Sequence, residues 1–392
     1  VSVRVIEGDC RAVLAALPAE SVHCVVTSPP YWGLRDYGIE PGVWPAHPSL
    51  SEGGSGDPAC AHEWASERVN TEIGKGNWAQ GINGRGEMQP GGVDGKREPI
   101  RASSERAFCR ACGAWRGAHG LEPTLDLYVA HAVEAFRAVR RMLRKDGTLW
   151  LNLGDSYNAA AGGRQPSATG KHGYWQNPAI DRRIDARRSG LKPKDLCMVP
   201  ARIALALQAD GWWLRSEIVW AKPNPMPESI TDRPTSAHEK VFLLSKSARY
   251  FYNAEAVRET GIEPERQRSD RIGGANGHLV RHSPGGMIGA SKTRNVRNVW
   301  MIATAPFTGA HFATFPPALV ERCIKAGCPP GDTVLDPFGG AGTVGLVADR
   351  LGRDAILIEL NRTYCDMARK RIVADAPLLS ALSAPSLVGG TP

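Results

Sequence analysis

Thr333-Val334-Leu335-Asp336, then Pro337-Phe338-Gly339-Gly340-Ala341-Gly342-Thr343, then Val344 to Leu351, then Ala355-Ile356-Leu357-Ile358-Glu359 follow one another near the end of the 392-residue chain. They read as strand, glycine-rich turn, helix and second strand. A short apolar run closed by a turn and followed by apolar spacing of three and four residues is what a strand feeding a crossover helix looks like. Strands joined in this way run parallel in an open α/β sheet, whose ligands sit outside the strands' carboxyl ends. Glycines allow close backbone approach to a ligand, and an acidic residue about 20 positions after the turn, here Glu359, is the usual partner of ribose hydroxyls. That much would also fit a dinucleotide enzyme. Asp336 argues otherwise, because a negative charge just before the turn opposes a pyrophosphate and suits an ammonium. The ligand implied is an adenosine bearing an amino acid.

Far upstream stands Thr27-Ser28-Pro29-Pro30-Tyr31-Trp32, directly after the apolar run Val22-His23-Cys24-Val25-Val26. A Val-rich run stopped by Pro-Pro predicts a second buried parallel strand ending in a turn. The prolines fix φ and donate no N–H, so the carbonyls of Ser28 and Pro29 are presented as acceptors. Ser28 adds a hydroxyl, and Tyr31 and Trp32 add flat faces for a planar ring. Such a turn suits the amino group of a base lifted from its helix. A surface polyproline turn is the plainer alternative. Val3 to Glu7 predicts one more strand, ending at Gly8-Asp9, and Arg11 to Leu17 a short helix, for which Asp9 could equally be the N-cap.

A chain of this length with 42% hydrophobic residues supports one large domain with insertions, or two domains. No apolar run approaches the ~20 residues of a membrane span, and no signal-peptide core is present, so the expected location is the cytoplasm. A net charge of +8 favours an anionic partner, nucleic acid before membrane. Nine cysteines without a secretion signal predict reduced thiols, some of them metal ligands. From Gly38 to Gly120 the composition is polar and glycine-rich, predicting an insertion without sheet. Within it, Cys60 and His62, then Cys109 and Cys112 with CxxC spacing, match a closed tetrahedral structural zinc site.

Further along, Leu125 to Leu143 predicts a long helix that stops at a Lys145-Asp146-Gly147 turn, and Thr148 to Leu153 a strand. Val199 to Ala209 predicts a helix, and Trp212 to Trp220 with Lys240 to Ser245 an antiparallel pair at a sheet edge. Asn158 to Lys194 and Asn253 to Asn298 are polar, arginine-rich loops suited to phosphates and base edges.

Taken together, the TSPPYW and DPFGGAGT stretches resemble the S-adenosylmethionine-dependent amino-methyltransferases of DNA, in the circularly permuted β class, where the catalytic motif comes first and the cofactor motif last. The resemblance covers Val3 to Tyr37, Thr124 to Tyr157, Val199 to Asn253 and Val299 to Arg371, and leaves out the polar insertions. It implies an α/β, Rossmann-like sheet, with residues 1–37, 121–253 and 299–375 as the catalytic domain. Residues 38–120 are then the zinc-bearing insertion, 254–298 a target-recognition region and 376–392 a flexible tail. It assigns catalysis to Ser28, Pro29, Pro30 and Tyr31, with Tyr31 stacking on a base flipped from double-stranded DNA. It assigns the cofactor to Asp9 (adenine), Glu359 (ribose), the loop residues Asp336, Pro337, Phe338, Gly339, Gly340, Gly342 and Thr343, and the preceding Thr314, Phe315 and Pro316. Serine before Pro-Pro accompanies cytosine N4 as target more often than adenine N6, and no Pro-Cys pair offers the nucleophile of cytosine-C5 methylation. Restriction–modification or DNA protection is the implied setting, with a cognate restriction endonuclease as partner. An NAD-type oxidoreductase would leave TSPPYW idle, and a non-catalytic zinc-containing DNA-binding protein would need neither terminal motif.

Overall fold

A computed structural model describes residues 1–33, 37–46, 60–72, 101–158, 190–260, 293–305 and 315–375. The expectations for Thr314 and the rest of the 306–314 segment, for most of the two arginine-rich loops, and for the tail lie outside these residues.

The chain opens with β1 (Val3–Glu7), α1 (Cys10–Ala16) and β2 (Val22–Thr27). Four short or polar strands follow: β3 (Gly42–Trp44), β4 (Trp64–Glu72), β5 (Arg101–Cys109) and β6 (Trp115–Gly117). Next come α2 (Leu125–Met142), β7 (Leu143–Leu153), α3 (Val199–Ala209), β8 (Trp213–Ala221) and β9 (His238–Ser245). A two-residue pair, β10 (Glu259–Thr260) with β11 (Thr293–Arg294), precedes β12 (Val299–Met301). The last part is α4 (Pro317–Gly327), β13 (Thr333–Asp336), α5 (Thr343–Arg350), β14 (Asp354–Glu359) and α6 (Arg362–Asp375).

Eight strands make one sheet in the order β1-β14-β13-β2-β7-β9-β8-β12. All run parallel except β9, which is antiparallel to both neighbours. The strand–turn–helix–strand unit at the end of the sequence therefore slots between β1 and β2 from its start. This spatial order is what the permutation predicts. One face of the sheet is covered by α1, α2 and α3 through Leu14, Tyr128, Phe136 and Ile203; the other holds α4 and α5 with Trp150, Trp220 and Trp300. Parallel strands buried on both faces need near-continuous apolar sequence, which is why β2, β13 and β14 were legible.

Three expectations are corrected. Residues 38–120 do contain sheet, four antiparallel strands ordered β3-β6-β5-β4. The main-chain ladder holds β4 against β5 over nine residue pairs, although WASERVNTE and RASSERAFC carry too few apolar residues to announce strands. Lys145-Asp146-Gly147 is not a separate turn: the chain leaves α2 directly into β7, and the extra residues form a bulge between the Val22–Leu143 and Cys24–Thr148 pairs. The β8–β9 pair is not at the edge, because β12 adds outside β8. Three residues are too few to show a period.

Candidate active site

The carboxyl ends of β1, β2, β7, β8, β13 and β14 and the amino end of the reversed β9 surround a cavity of about 610 Å³. Ser28, Pro29, Pro30 and Tyr31 line it together with Asp9, Phe315, Pro337, Phe338, Gly339, Gly340, Thr343 and Glu359. The two sequence motifs, some 300 residues apart, meet in one hollow.

On the glycine-loop side, local rules explain the geometry. Gly342 has φ of 78° and starts α5, and a Cβ there would lie 2.8 Å from Ala368 Cβ. Only glycine both adopts that backbone and admits α6 so closely. Gly340 N–H donates to Glu359 Oε2, and Asn361 N–H to Oε1, both at 2.8 Å. Burial raises the Glu359 carboxyl above its ordinary value despite these donors. Asp336 lies beneath the loop and is not one of the lining residues. It accepts from Thr27 Oγ1 at 2.6 Å and Phe338 N–H at 3.1 Å, tying the end of β2 to the loop. Burial pushes its carboxyl up to about 7, against these two hydrogen bonds. Asp9 is in fact the N-cap of α1, accepting from Arg11 N–H at 2.8 Å, and it also pairs with the Arg11 guanidinium. Burial works against its charge, but Arg11 outweighs it and holds the carboxyl below the usual range. Pro316 caps α4, while Phe315 faces the cavity.

The proline turn is fixed from behind. Tyr128 Oη donates to the Pro30 carbonyl at 2.8 Å, and Trp32 Nε1 donates to the Glu122 carbonyl at 3.0 Å. Gly33 N–H reaches the Gly120 carbonyl at 2.8 Å. The Tyr31 ring packs so closely on Gly154 that a Cβ there would lie 2.6 Å from it. Glu122 is fully buried and collects His119 Nδ1 at 2.8 Å, His131 Nδ1 at 3.1 Å and Gly120 N–H at 2.8 Å. Burial opposes its charge, yet the two histidines prevail and hold the carboxyl down at about 2. Neither Glu122 nor the polar residues Asn152, Lys222 and Glu239 of the cavity wall were found from sequence. They are scattered along the chain, Glu122 before α2, Asn152 on β7, Lys222 after β8 and Glu239 on β9, and nothing local marks them.

Cys60, His62, Cys109 and Cys112 converge, with one ligand atom from each within 4.8 Å of the others. Cys60 and Cys109 sulfurs are 3.8 Å apart, and Cys112 Sγ is 3.4 Å from His62 Nδ1. Tetrahedral zinc with Zn–S bonds of about 2.3 Å sets its sulfurs about 3.8 Å apart, so the donor set fits that ion. Gly113, at φ of 74°, closes the knuckle by donating to the Cys109 carbonyl. All nine cysteines are unpaired thiols.

Sheet order, glycine loop and proline turn together define an S-adenosylmethionine methyltransferase fold of the permuted type. Residues 22–370 match the N6/N4 methyltransferase family model described as DNA methylase, and the chain belongs to that family. It is 40% identical over 369 residues to the Type II methyltransferase M.XycI of Xanthomonas campestris pv. cyanopsidis, covering 93% of this chain and 86% of the relative. It is 36% identical over 377 residues to M.SmaI of Serratia marcescens, covering 95% and 91%. Among solved structures, PvuII DNA methyltransferase (cytosine-N4-specific) superposes with a TM-score of 0.50 at 16% identity, over 96% of this chain and 94% of that one. Among the described residues no helix is long and apolar enough to cross a membrane.

Proposed function

We propose that the protein transfers the methyl group of S-adenosylmethionine to the exocyclic N4 of cytosine in double-stranded DNA, as the modification enzyme of a Type II restriction–modification system. The observation carrying this reading is the meeting of the Ser28–Tyr31 turn and the Pro337–Thr343 loop in one cavity. The relatives named Type II methyltransferases support the setting, and a cognate restriction endonuclease is then the expected partner.

S-adenosylmethionine supplies a methyl group on a sulfonium. Asp9 faces its adenine, Glu359 its ribose, and Asp336 supplies negative charge beneath the loop for its ammonium. Phe315 adds an apolar face to the wall, and Thr314 and Pro316 belong to the same cofactor motif. An exocyclic amine is a weak nucleophile because its lone pair is delocalised into the ring. Ser28 Oγ and the Pro29 carbonyl accept hydrogen bonds from it and concentrate that lone pair on nitrogen, so that catalysis comes from positioning and electrostatics. The base has left the duplex and lies against Tyr31. Residues 254–298 read the target sequence, and zinc held by Cys60, His62, Cys109 and Cys112 braces the small sheet.

Serine at position 28 favours cytosine N4. A serine hydroxyl also accepts from an adenine amine, so N6 is the alternative target. Mass spectrometry of nucleosides from DNA of cells expressing the protein, with Ser28→Ala as control, tests both. N4-methylcytosine that depends on Ser28 is expected; N6-methyladenine would keep the mechanism and overturn the base.

A further inference from the structure

One wall of the cavity carries a chain of polar contacts that runs from Ser28 and Tyr31 of the proline turn to residues outside both sequence motifs. Ser28 Oγ donates to Tyr31 Oη at 3.1 Å, and Tyr31 Oη donates to Glu239 Oε2 at 2.8 Å. Asn152 Nδ2 donates to the same oxygen at 3.0 Å and to the Lys240 carbonyl at 3.2 Å. Lys222 Nζ pairs with Glu239 Oε1 at 2.5 Å. Asn152 is on β7, Lys222 follows β8 and Glu239 is the second residue of β9, so three strands bring their ends to one carboxylate.

An ionised carboxylate can only accept, and this fixes every O–H in the chain. Tyr31 donates to Glu239, which leaves the Tyr31 oxygen as the acceptor of the Ser28 proton. The competing acceptor, Asn152 Oδ1, is farther from Tyr31 Oη at 3.2 Å and carries no charge. Burial first, and the Glu239 charge second, raise the Tyr31 phenol well above its ordinary value, so it remains a donor. Ser28 therefore turns lone pairs, and not its proton, toward the cavity.

The geometry points to Glu239 as a positioning residue that acts through Tyr31, making Ser28 an acceptor for the target amine and taking up the proton which that amine releases. This rests on the amine-methylation reading above and holds for either base. As the amine nitrogen bonds to the methyl carbon, the carbon–sulfur electron pair leaves with sulfur, and the nitrogen becomes cationic. One N–H proton passes to Ser28 Oγ while the Ser28 proton moves to Tyr31 Oη and the Tyr31 proton to Glu239 Oε2. The products are a neutral methylamine, a thioether and a neutral Glu239 carboxyl. Both hydroxyls end as they began.

The test uses the whole chain, S-adenosylmethionine and a duplex carrying the methylation site mapped from the cellular DNA. Glu239→Gln keeps the side-chain shape and removes the proton acceptor, so the single-turnover rate is expected to fall about 100-fold. Calorimetric affinities for S-adenosylmethionine and for the duplex should stay within about twofold, which shows a folded protein with intact binding. Tyr31→Phe should slow transfer comparably, and the double variant should be no slower than the slower single one, because both changes cut the same chain. Binding gives a readout independent of turnover. With S-adenosylhomocysteine present, the wild type should prefer a duplex bearing the target amine over one whose base lacks it, and Tyr31→Phe should lose about tenfold of that preference. A Glu239→Gln rate within about threefold of wild type, or penalties that multiply in the double variant, would overturn the assignment. Absence of methyl transfer by the wild type would remove the underlying reading, and the assignment with it.

Discussion

Asp336 is a side chain whose charge state the fold controls through burial. Its folded pKa of about 7 lies above its ordinary value of 3.8, so the folded protein holds a proton there that the unfolded chain has lost. Stability from this group is present at low pH and declines as pH rises from about 4 through 7. A cationic ligand above the carboxyl favours ionisation, so affinity for S-adenosylmethionine should weaken as pH falls below about 7. Calorimetry across that window should find the trend in wild type and a flat profile below pH 7 in Asp336→Asn. Glu122 behaves oppositely. Its depressed pKa of about 2 means that its stabilisation is complete above about 4.5 and lost as pH falls toward 2. Glu122→Gln leaves two buried histidines without their carboxylate and should lower unfolding stability by roughly 3 kcal/mol, read by urea titration. Ser28, Asp9 and Glu359 were legible because each closes an apolar run that itself announces a strand end. Glu239 was not, since an acid before KVFLLS reads as the solvated start of a strand until the reversal of β9 brings that start to the cavity.

Among the elements, β6 connects the Cys60–His62–Cys109–Cys112 cluster to the cavity. It begins three residues after Cys112, pairs with β3 and β5, and Gly117, Ala118 and His119 at its end line the cavity with Trp44 of β3. Trp44 and Trp115 pack with Leu127 of α2. Purified protein should contain about one zinc per chain, absent from Cys109→Ser/Cys112→Ser, and metal removal should weaken S-adenosylmethionine binding through this wall. Elemental analysis and calorimetry on the same sample check both. At the other side of the cavity, Gly342→Ala forces a Cβ against Ala368 at a positive φ and should destabilise the protein by about 2 kcal/mol, seen as a lower unfolding midpoint. The parallel strands β2, β13 and β14 were readable from their apolar runs. The small sheet was not, because its ladder is main-chain bonding between polar sequences, and its Cys/His cluster was the part of it that the sequence displayed.

For the whole molecule, the permuted order has a physical consequence: β13, α5 and β14 complete the sheet between β1 and β2, so the cavity exists only when the chain's two ends have met. The two terminal motifs were readable singly, and their adjacency followed from the family resemblance, whereas the contribution of β8 and β9 to the wall required the fold. A net charge of +8 belongs to this scale as well, and affinity for DNA should fall linearly in log–log form as salt is raised. The central claim is that the cavity passes a methyl group from S-adenosylmethionine to an exocyclic amine of DNA held at Ser28. It is tested most directly by incubating the purified protein, and Ser28→Ala, with methyl-tritiated S-adenosylmethionine and the DNA of a strain lacking the protein. The account predicts label on a nucleobase amine with wild type, and a loss of about 100-fold or more in Ser28→Ala at unchanged cofactor affinity. Unlabelled DNA from a wild-type protein that binds the cofactor, or equal labelling by both proteins, would contradict it.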